Sequence, residues 1–332
     1  MIESSAPARI DFAGGTLDIW PLYLFFNNPP TLNAAIDCYA TVRLAPRKGK
    51  GIVVESIDLK RRESFASLDA LPTGAHPLIL ILKTLSFYRP RGGMTITTHC
   101  QAPAGSGIGG SSALNIALHG ALNAWTERKL SKEQMLRIAK SIETQVIGVP
   151  TGWQDYFPAL YGGALSVRPD FDGVGRERLP VDLRELSRRF ILCYSGEPRK
   201  SAINNWEVMK QAVDKKASTL KRLDRLQNIA RNMEALIAKG RWKELALALN
   251  EEGTARKALA PNIATPEMNR LIAQAKRAGA KAAKVCGAGG GGCIAFMIDP
   301  HSRSAVESAL EKAGGRLLPF RFVRRGLQVR RT

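Results

Sequence analysis

The tightest constraint on this chain is the run PAGSGIGGSSALNIALHGAL over residues 103–122, where five glycines and three serines lead straight into an apolar, helix-forming segment. Glycines let a backbone close on ligand oxygens with no Cβ in the way, and a helix N-terminus offers free N–H groups and partial positive charge. Ser111 and Ser112 either cap that helix or coordinate a magnesium ion that bridges phosphates. Residues 105–110, GSGIGG, satisfy the dinucleotide fingerprint G-x-G-x-x-G. Four residues, including Pro103, separate it from the strand-like MTITTHC, however, and the double serine is foreign to that fingerprint. No GxxxxGK[ST] occurs, which excludes a P-loop.

Around this segment, β-rich runs alternate with turns: RIDFAGG, TLNAAIDCYATVRLAP, GKGIVVESID and GGMTITTHC. HPLILILKTLSFY reads as a buried helix. ALNIALHGALNAW and SKEQMLRIAKSIETQVIG carry apolar residues at three- and four-residue spacing, and Ser131 with Gln134 predicts a capping box. ALSVRPDF and RRFILCYSG read as a further strand pair joined by a charged surface passage. Residues 203–258 read as long amphipathic helices broken at Gly240 and Gly253, and PEMNRLIAQAKRAGA as another helix. The remainder runs glycine turn, strand, helix, strand. This order predicts an α+β protein of two layers in two lobes.

Two further glycine clusters frame the first. At the front, SAPARIDFAGGTLDIWPLY places Asp11 and Asp18 on either side of Gly14 and Gly15, as ligand-facing or turn-capping carboxylates. At the back, KVCGAGGGGCIAFMI sits between two apolar strand-like runs. It holds more glycine than a hairpin requires, so close approach to another loop or to a ligand is expected.

Composition removes several function classes. The five cysteines are scattered and apolar-flanked, which predicts buried free thiols rather than disulfides or a metal cluster. The four histidines form no zinc pattern. Roughly eighteen successive apolar residues would mark a membrane span and none occurs, nor does a secretory leader, so a cytoplasmic protein without membrane contact is expected. The formal net charge of +20 raises an anionic substrate or nucleic acid as partner. It is spread along the chain without an RNA-binding signature, so no specific nucleic acid is expected.

PARIDFAGGTLD, PAGSGIGGSSA and KVCGAGGGG, in this order and at these separations, resemble the GHMP kinase family over nearly the whole chain. The resemblance implies a GHMP kinase fold, with a ribosomal-S5-like N-terminal domain over residues 1–175 and a ferredoxin-like C-terminal domain over residues 176–332. It implies ATP and Mg2+ as cofactors. Pro103, Gly105, Ser106, Gly107, Gly109, Gly110, Ser111 and Ser112 would then cradle the ATP phosphates. SIETQVIGVPTGWQD supplies Glu143 and Asp155 at the family's spacing, so Ser112 and Glu143 would hold magnesium, Asp155 would take the proton of the attacking hydroxyl, and Arg9 would pair with Asp155. Gly15, Thr16, Asp18, Gly289 and Gly290 would meet the acceptor.

Gly14 to Leu17 depart from the galactokinase opening, whereas PTGWQDYFPALYGGAL and CYSGEPRKSA look most like heptose 7-phosphate kinases and fucokinase-type enzymes. A sugar 1-phosphate product is implied, with Arg199, Lys200 and Lys257 as candidates for a substrate phosphate. Trp153 either stacks on a sugar face or fills core. A kinase of a non-sugar alcohol such as a mevalonate-like acid, and a non-catalytic ligand-binding member, are the alternatives. The oligomeric state is not legible from the residues.

Overall fold

The computed structural model describes residues 1–199, 203–260 and 262–331. The first lobe runs through β1 (Ile2–Ala13), β2 (Thr31–Arg47), β3 (Ile52–Ser56), β4 (Arg61–Phe65), α1 (Ile79–Tyr88) and β5 (Gly93–Cys100). It continues with α2 (Gly110–Thr126), α3 (Lys132–Ile147), α4 (Tyr156–Tyr161), β6 (Ala164–Pro169) and β7 (Val174–Arg178). Then come α5 (Leu183–Arg188), β8 (Phe190–Tyr194), α6 (Ile203–Val213), α7 (Ala217–Ala238), α8 (Trp242–Lys257) and α9 (Pro266–Arg277). The chain closes with β9 (Ala282–Val285), β10 (Cys293–Met297), α10 (Arg303–Lys312), β11 (Arg316–Leu317) and β12 (Gln328–Arg331).

The large sheet has the order β12-β1-β2-β5-β3-β4, with β6 on β2 and β7 beside β6. Helices α1 to α4 cover it through a core that includes Leu44, Ile96, Ile116, Leu118 and Tyr156. The small sheet has the order β11-β8-β10-β9, all antiparallel. With helices between β8 and β9 and α10 between β10 and β11, this is the ferredoxin-like arrangement predicted for the second lobe. Ile10, Phe12 and Leu17 from the front share one core with Phe190, Leu226, Met233 and Phe322, so the lobes are joined by apolar packing.

Local chemistry explains the boundaries that set the site. Ser131 caps α3 with Gln134 in the predicted box, and α3 ends on Gly148 in the left-handed conformation. Helix α2 starts on Gly109, also left-handed at φ 76°.

Three expectations change. ALSVRPDF (β6) and RRFILCYSG (β8) do not pair; they lie in different sheets, and the passage between them holds β7 and α5. Gly240 follows the end of α7 as expected, but α8 runs through Gly253, where a Cβ would lie 3.2 Å from the Ala283 carbonyl. That glycine serves helix-on-strand approach instead of a break. Residue 175 falls within β7 of the large sheet, and β12 returns to pair with β1, so the large sheet takes strands from both sides of the 175/176 division.

Candidate active site

The second and third glycine clusters pack backbone to backbone. Gly105, Gly107 and Gly109 all have φ between 69° and 76°. A Cβ on Gly107 would stand 2.8 Å from the Cys286 carbonyl, and one on Gly287 2.8 Å from the Gly107 carbonyl. The Cys293 N–H donates to the Ser106 carbonyl at 2.7 Å, and the Arg199 N–H to the Gly105 carbonyl at 2.9 Å. The glycine-rich back segment therefore buttresses the loop in front of α2, leaving the helix N-terminus facing a cleft. Pro103, Gly105, Ser106, Gly107, Gly109, Gly110 and Ser111 line that cleft together with Asp58, Cys100, Leu114, Asp155 and Arg199. Ser112 is not part of this lining: it is buried, with its hydroxyl turned to Glu143.

Beneath Ser112 sits Glu143 of α3. Its Oε1 accepts from Ser111 Oγ at 2.7 Å, and its Oε2 from Ser112 Oγ at 2.9 Å and Tyr156 Oη at 2.7 Å. Burial pushes this carboxyl above its ordinary range; the three hydroxyls oppose that shift and nearby Asp155 adds to it. No cation lies within 4.0 Å of Glu143 among the described residues. A buried carboxylate with hydroxyl neighbours and no counter-charge is a fitting seat for a hard divalent cation. The described residues offer no cluster of three His, Cys, Asp or Glu, so phosphate and water oxygens would have to complete the shell.

Asp155 opens α4 and is one quarter exposed. Arg9, buried in β1, donates from Nε to Asp155 Oδ1 at 2.8 Å, with Nη2 at 2.7 Å from the same oxygen. Arg9 Nη1 donates to the Gly107 carbonyl at 2.6 Å and lies 3.4 Å from Asp11. Burial opposes the charge of Arg9, but Asp155 and Asp11 outweigh it and hold the guanidinium cationic. Asp11 itself accepts from Lys284 Nζ at 2.5 Å and from the Gly287 N–H at 2.9 Å. Buried Lys284 stands 4.0 Å from Glu252, which pairs with Arg256 at 2.6 Å. Lys284, Glu252 and Arg256 were not singled out in the sequence; a lysine inside the apolar strand AAKV was the one available signal.

Asp18, fully buried, accepts at Oδ2 from the N–H groups of Trp153 and Gln154 at 2.6 and 2.8 Å. A Cβ on Gly152 would collide with this carboxylate, which is why glycine stands just before Trp153. Burial raises the Asp18 carboxyl above its usual range, against the pull of those two amides. Asp18 Oδ1 and Gln154 Oε1 are buried acceptors without a partner. Thr16 adopts φ 78°, a strained conformation for a β-branched residue. Its Oγ1 donates to Asn205 Oδ1 at 2.9 Å, and Arg256 holds the Gly15 carbonyl at 3.1 Å.

These groups line a second pocket: Arg9, Thr16, Asp18, Glu143, Gln154 and Asn205, with Ile19, Ile147, Val149 and Pro150 among its apolar walls. The third glycine cluster reaches it through Gly287 and Ala288; Gly289 and Gly290 instead pack on Ile263. Gly15 stands behind the wall, against Gln154. Ser111, Asp155 and Arg199 line both pockets. Lys257 is exposed and bonded to Asn269, away from either, and Lys200 lies outside the described residues. Trp153 turns away into a separate aromatic pocket with Phe157 and Tyr161, under Lys140 at 4.7 Å. Cys286 is buried behind the loop, and burial pushes its thiol up to about 12.

A glycine-rich loop before a helix N-terminus, a buried carboxylate among hydroxyls and a carboxylate–arginine pair shared by two pockets are the kinds of group that phosphoryl transfer calls for. Residues 78–163 match the model of the GHMP kinases N terminal domain and residues 233–316 that of the GHMP kinases C terminal domain; the chain belongs to the GHMP kinase family. It is 25% identical over 98% of both chains to the D-glycero-alpha-D-manno-heptose 7-phosphate kinase of Campylobacter jejuni. It is 24% identical to the mevalonate kinase of Pyrococcus abyssi, over 99% of this chain and 98% of that one. A crystal structure of a D-glycero-D-manno-heptose 1-phosphate kinase from Bacteroides thetaiotaomicron superposes with a TM-score of 0.81 at 24% identity, covering 100% and 99% of the two chains. No described helix is long and apolar enough to cross a membrane.

Proposed function

We propose that this kinase transfers the γ-phosphoryl group of ATP to a hydroxyl of a sugar or sugar phosphate, the anomeric C1 hydroxyl being the preferred acceptor. The observation that carries this reading is the meeting of two pockets at Asp155: one lined by the glycine loop, the other by hydroxyl-binding side chains.

In this reading the N–H groups around Gly107 to Ser111 hold the triphosphate, with the α2 dipole favouring its charge. Ser112 and Glu143 would hold magnesium, which when bound neutralises phosphate oxygen charge. Asp18 Oδ1, Gln154 and Asn205 receive the acceptor's hydroxyls and aim one of them at Asp155. Asp155 takes that hydroxyl's proton as the oxygen–phosphorus bond forms and the bond to the ADP oxygen breaks. Arg9 fixes the carboxylate, and Arg199 lies where the transferred group passes. The proposed setting is the cytoplasm.

The unpartnered acceptors support a sugar over an acid. Asp18 Oδ1 and Gln154 Oε1 call for donors, which a polyol supplies and a carboxylate does not. Choice of C1 rests on the resemblance of the PTGWQD and CYSGEPRKSA stretches to heptose 7-phosphate and fucokinase-type enzymes. ADP release with magnesium ATP against heptose 7-phosphate, fucose, galactose, mannose and mevalonate tests the reading. Turnover on a sugar with 1-phosphate product supports it, and turnover on mevalonate alone refutes it.

A further inference from the structure

Resting on the proposed role of Glu143 at the magnesium seat, we infer that Tyr156 restricts this carboxylate to one coordinating oxygen and so makes the site select magnesium over calcium. The two oxygens of Glu143 are not equivalent. Oε2 accepts from Ser112 Oγ at 2.9 Å and from Tyr156 Oη at 2.7 Å, whereas Oε1 accepts, among the described residues, from Ser111 Oγ alone, at 2.7 Å. An ionised carboxylate has about four lone-pair sites, shared equally by its oxygens. Both sites of Oε2 are therefore filled, and one on Oε1 is open. Burial agrees with that count. Ser112 and Tyr156 are 2% and 0% exposed, while Ser111 lines both the nucleotide cleft and the acceptor pocket. Oε1 is thus the oxygen on the cleft side, where a phosphate-bound cation arrives.

The serines cannot enforce this restriction by themselves. A serine hydroxyl rotates and can turn a lone pair to a cation, so its bond to a carboxylate is easily exchanged. Tyr156 belongs to the core of the first lobe and to neither pocket lining. Taking Oε2 from it would leave a buried hydroxyl without an acceptor, which is unfavourable. Tyr156 also directly follows Asp155 at the start of α4, so the same bond ties the cation seat to the helix that presents the base. The consequence is selectivity. Mg2+ demands near-ideal octahedral geometry, keeps waters and is served by a single carboxylate oxygen; Ca2+ takes about 6–8 oxygens and gains from a carboxylate that offers both.

Titration calorimetry tests this without turnover, using a non-hydrolysable ATP analogue saturated with Mg2+ or with Ca2+. Wild type should bind the magnesium complex about tenfold or more tighter than the calcium complex. Tyr156→Phe keeps the buried ring and deletes only the hydroxyl; it should shift that ratio about tenfold toward calcium, the scale on which outer-shell partners tune a metal ligand. Ser111→Ala opens a site on the oxygen already facing the cleft, so it should weaken both complexes alike and keep the ratio within about threefold of wild type. Equal affinity of wild type for the two complexes overturns the inference, whether or not Tyr156→Phe folds. So does an unchanged ratio in folded Tyr156→Phe. Either result leaves the kinase reading intact, because the nucleotide still binds. Failure of wild type to bind either complex overturns the nucleotide site as well.

Discussion

Two nitrogens of Arg9, Nε at 2.8 Å and Nη2 at 2.7 Å, converge on Oδ1 of Asp155, across 146 residues of chain. Oδ2 takes no hydrogen bond from the described residues, and in the proposed mechanism it meets the acceptor hydroxyl. A carboxylate held on one oxygen and free on the other is oriented for a single proton transfer. The buried partners of Arg9 carry that orientation back to the second lobe, through Asp11 and Lys284.

Lys284→Met should therefore destabilise the protein by about 3–5 kcal/mol, because it leaves Asp11 buried beside only Arg9 and one amide. Denaturant melts measure this. The pH dependence has a definite sign. Burial alone would raise the Asp11 carboxyl, but Lys284 and Arg9 outweigh it and hold it below the usual range. Its stabilisation is present above the ordinary carboxylate range and is lost as pH falls through the lowered folded value. The gap between wild type and Lys284→Met should narrow on acidification; a constant gap would contradict this role.

Glu143 has the opposite sign. Its carboxyl is raised chiefly by burial, so its favourable contribution exists below the ordinary carboxylate range and is lost as pH rises through the raised folded value. Glu143→Gln, without nucleotide or magnesium, should melt about 2 °C or more above wild type near pH 8 and show a smaller gain near pH 4. The same variant should weaken magnesium activation. An equal gain at both pH values would show that the charge of Glu143 carries no strain.

Gly107→Ala places a side chain at φ 75° and a Cβ 2.8 Å from the Cys286 carbonyl. Left-handed backbone costs about 1–2 kcal/mol for a residue with a Cβ, and the collision adds displacement of the loop. Weaker ATP binding by about tenfold or more is expected, measured by titration calorimetry. Unchanged ATP affinity would remove this loop from the nucleotide site.

Much of this arrangement was legible because it is written locally. The Ser131 capping box sits within one turn of chain and appears as read, and the helix read over ALNIALHGALNAW is there, extended back to Gly110. The long-range ion chain was not legible. Lys284 lies 273 residues from the Asp11 it holds and Arg256 241 residues from Gly15, too far for a local pattern to mark either contact. The back glycines were read as close approach to a loop or a ligand; they meet the loop, and it is Gly287 and Ala288, not Gly289 and Gly290, that line the acceptor pocket. Gly253 misled because a glycine in a helix that packs tightly on a strand looks the same, in sequence, as a helix break.

The most direct measurement is ADP release and ATP binding in parallel for wild type and Asp155→Asn, with a sugar acceptor that the wild type turns over. Loss of the proton acceptor should lower kcat by about 10²–10⁴-fold, with ATP affinity within about threefold of wild type, since Asp155 only edges the nucleotide cleft. Turnover in Asp155→Asn at the wild-type rate would contradict its role as the base, and with it the chemistry assigned to the meeting point of the two pockets.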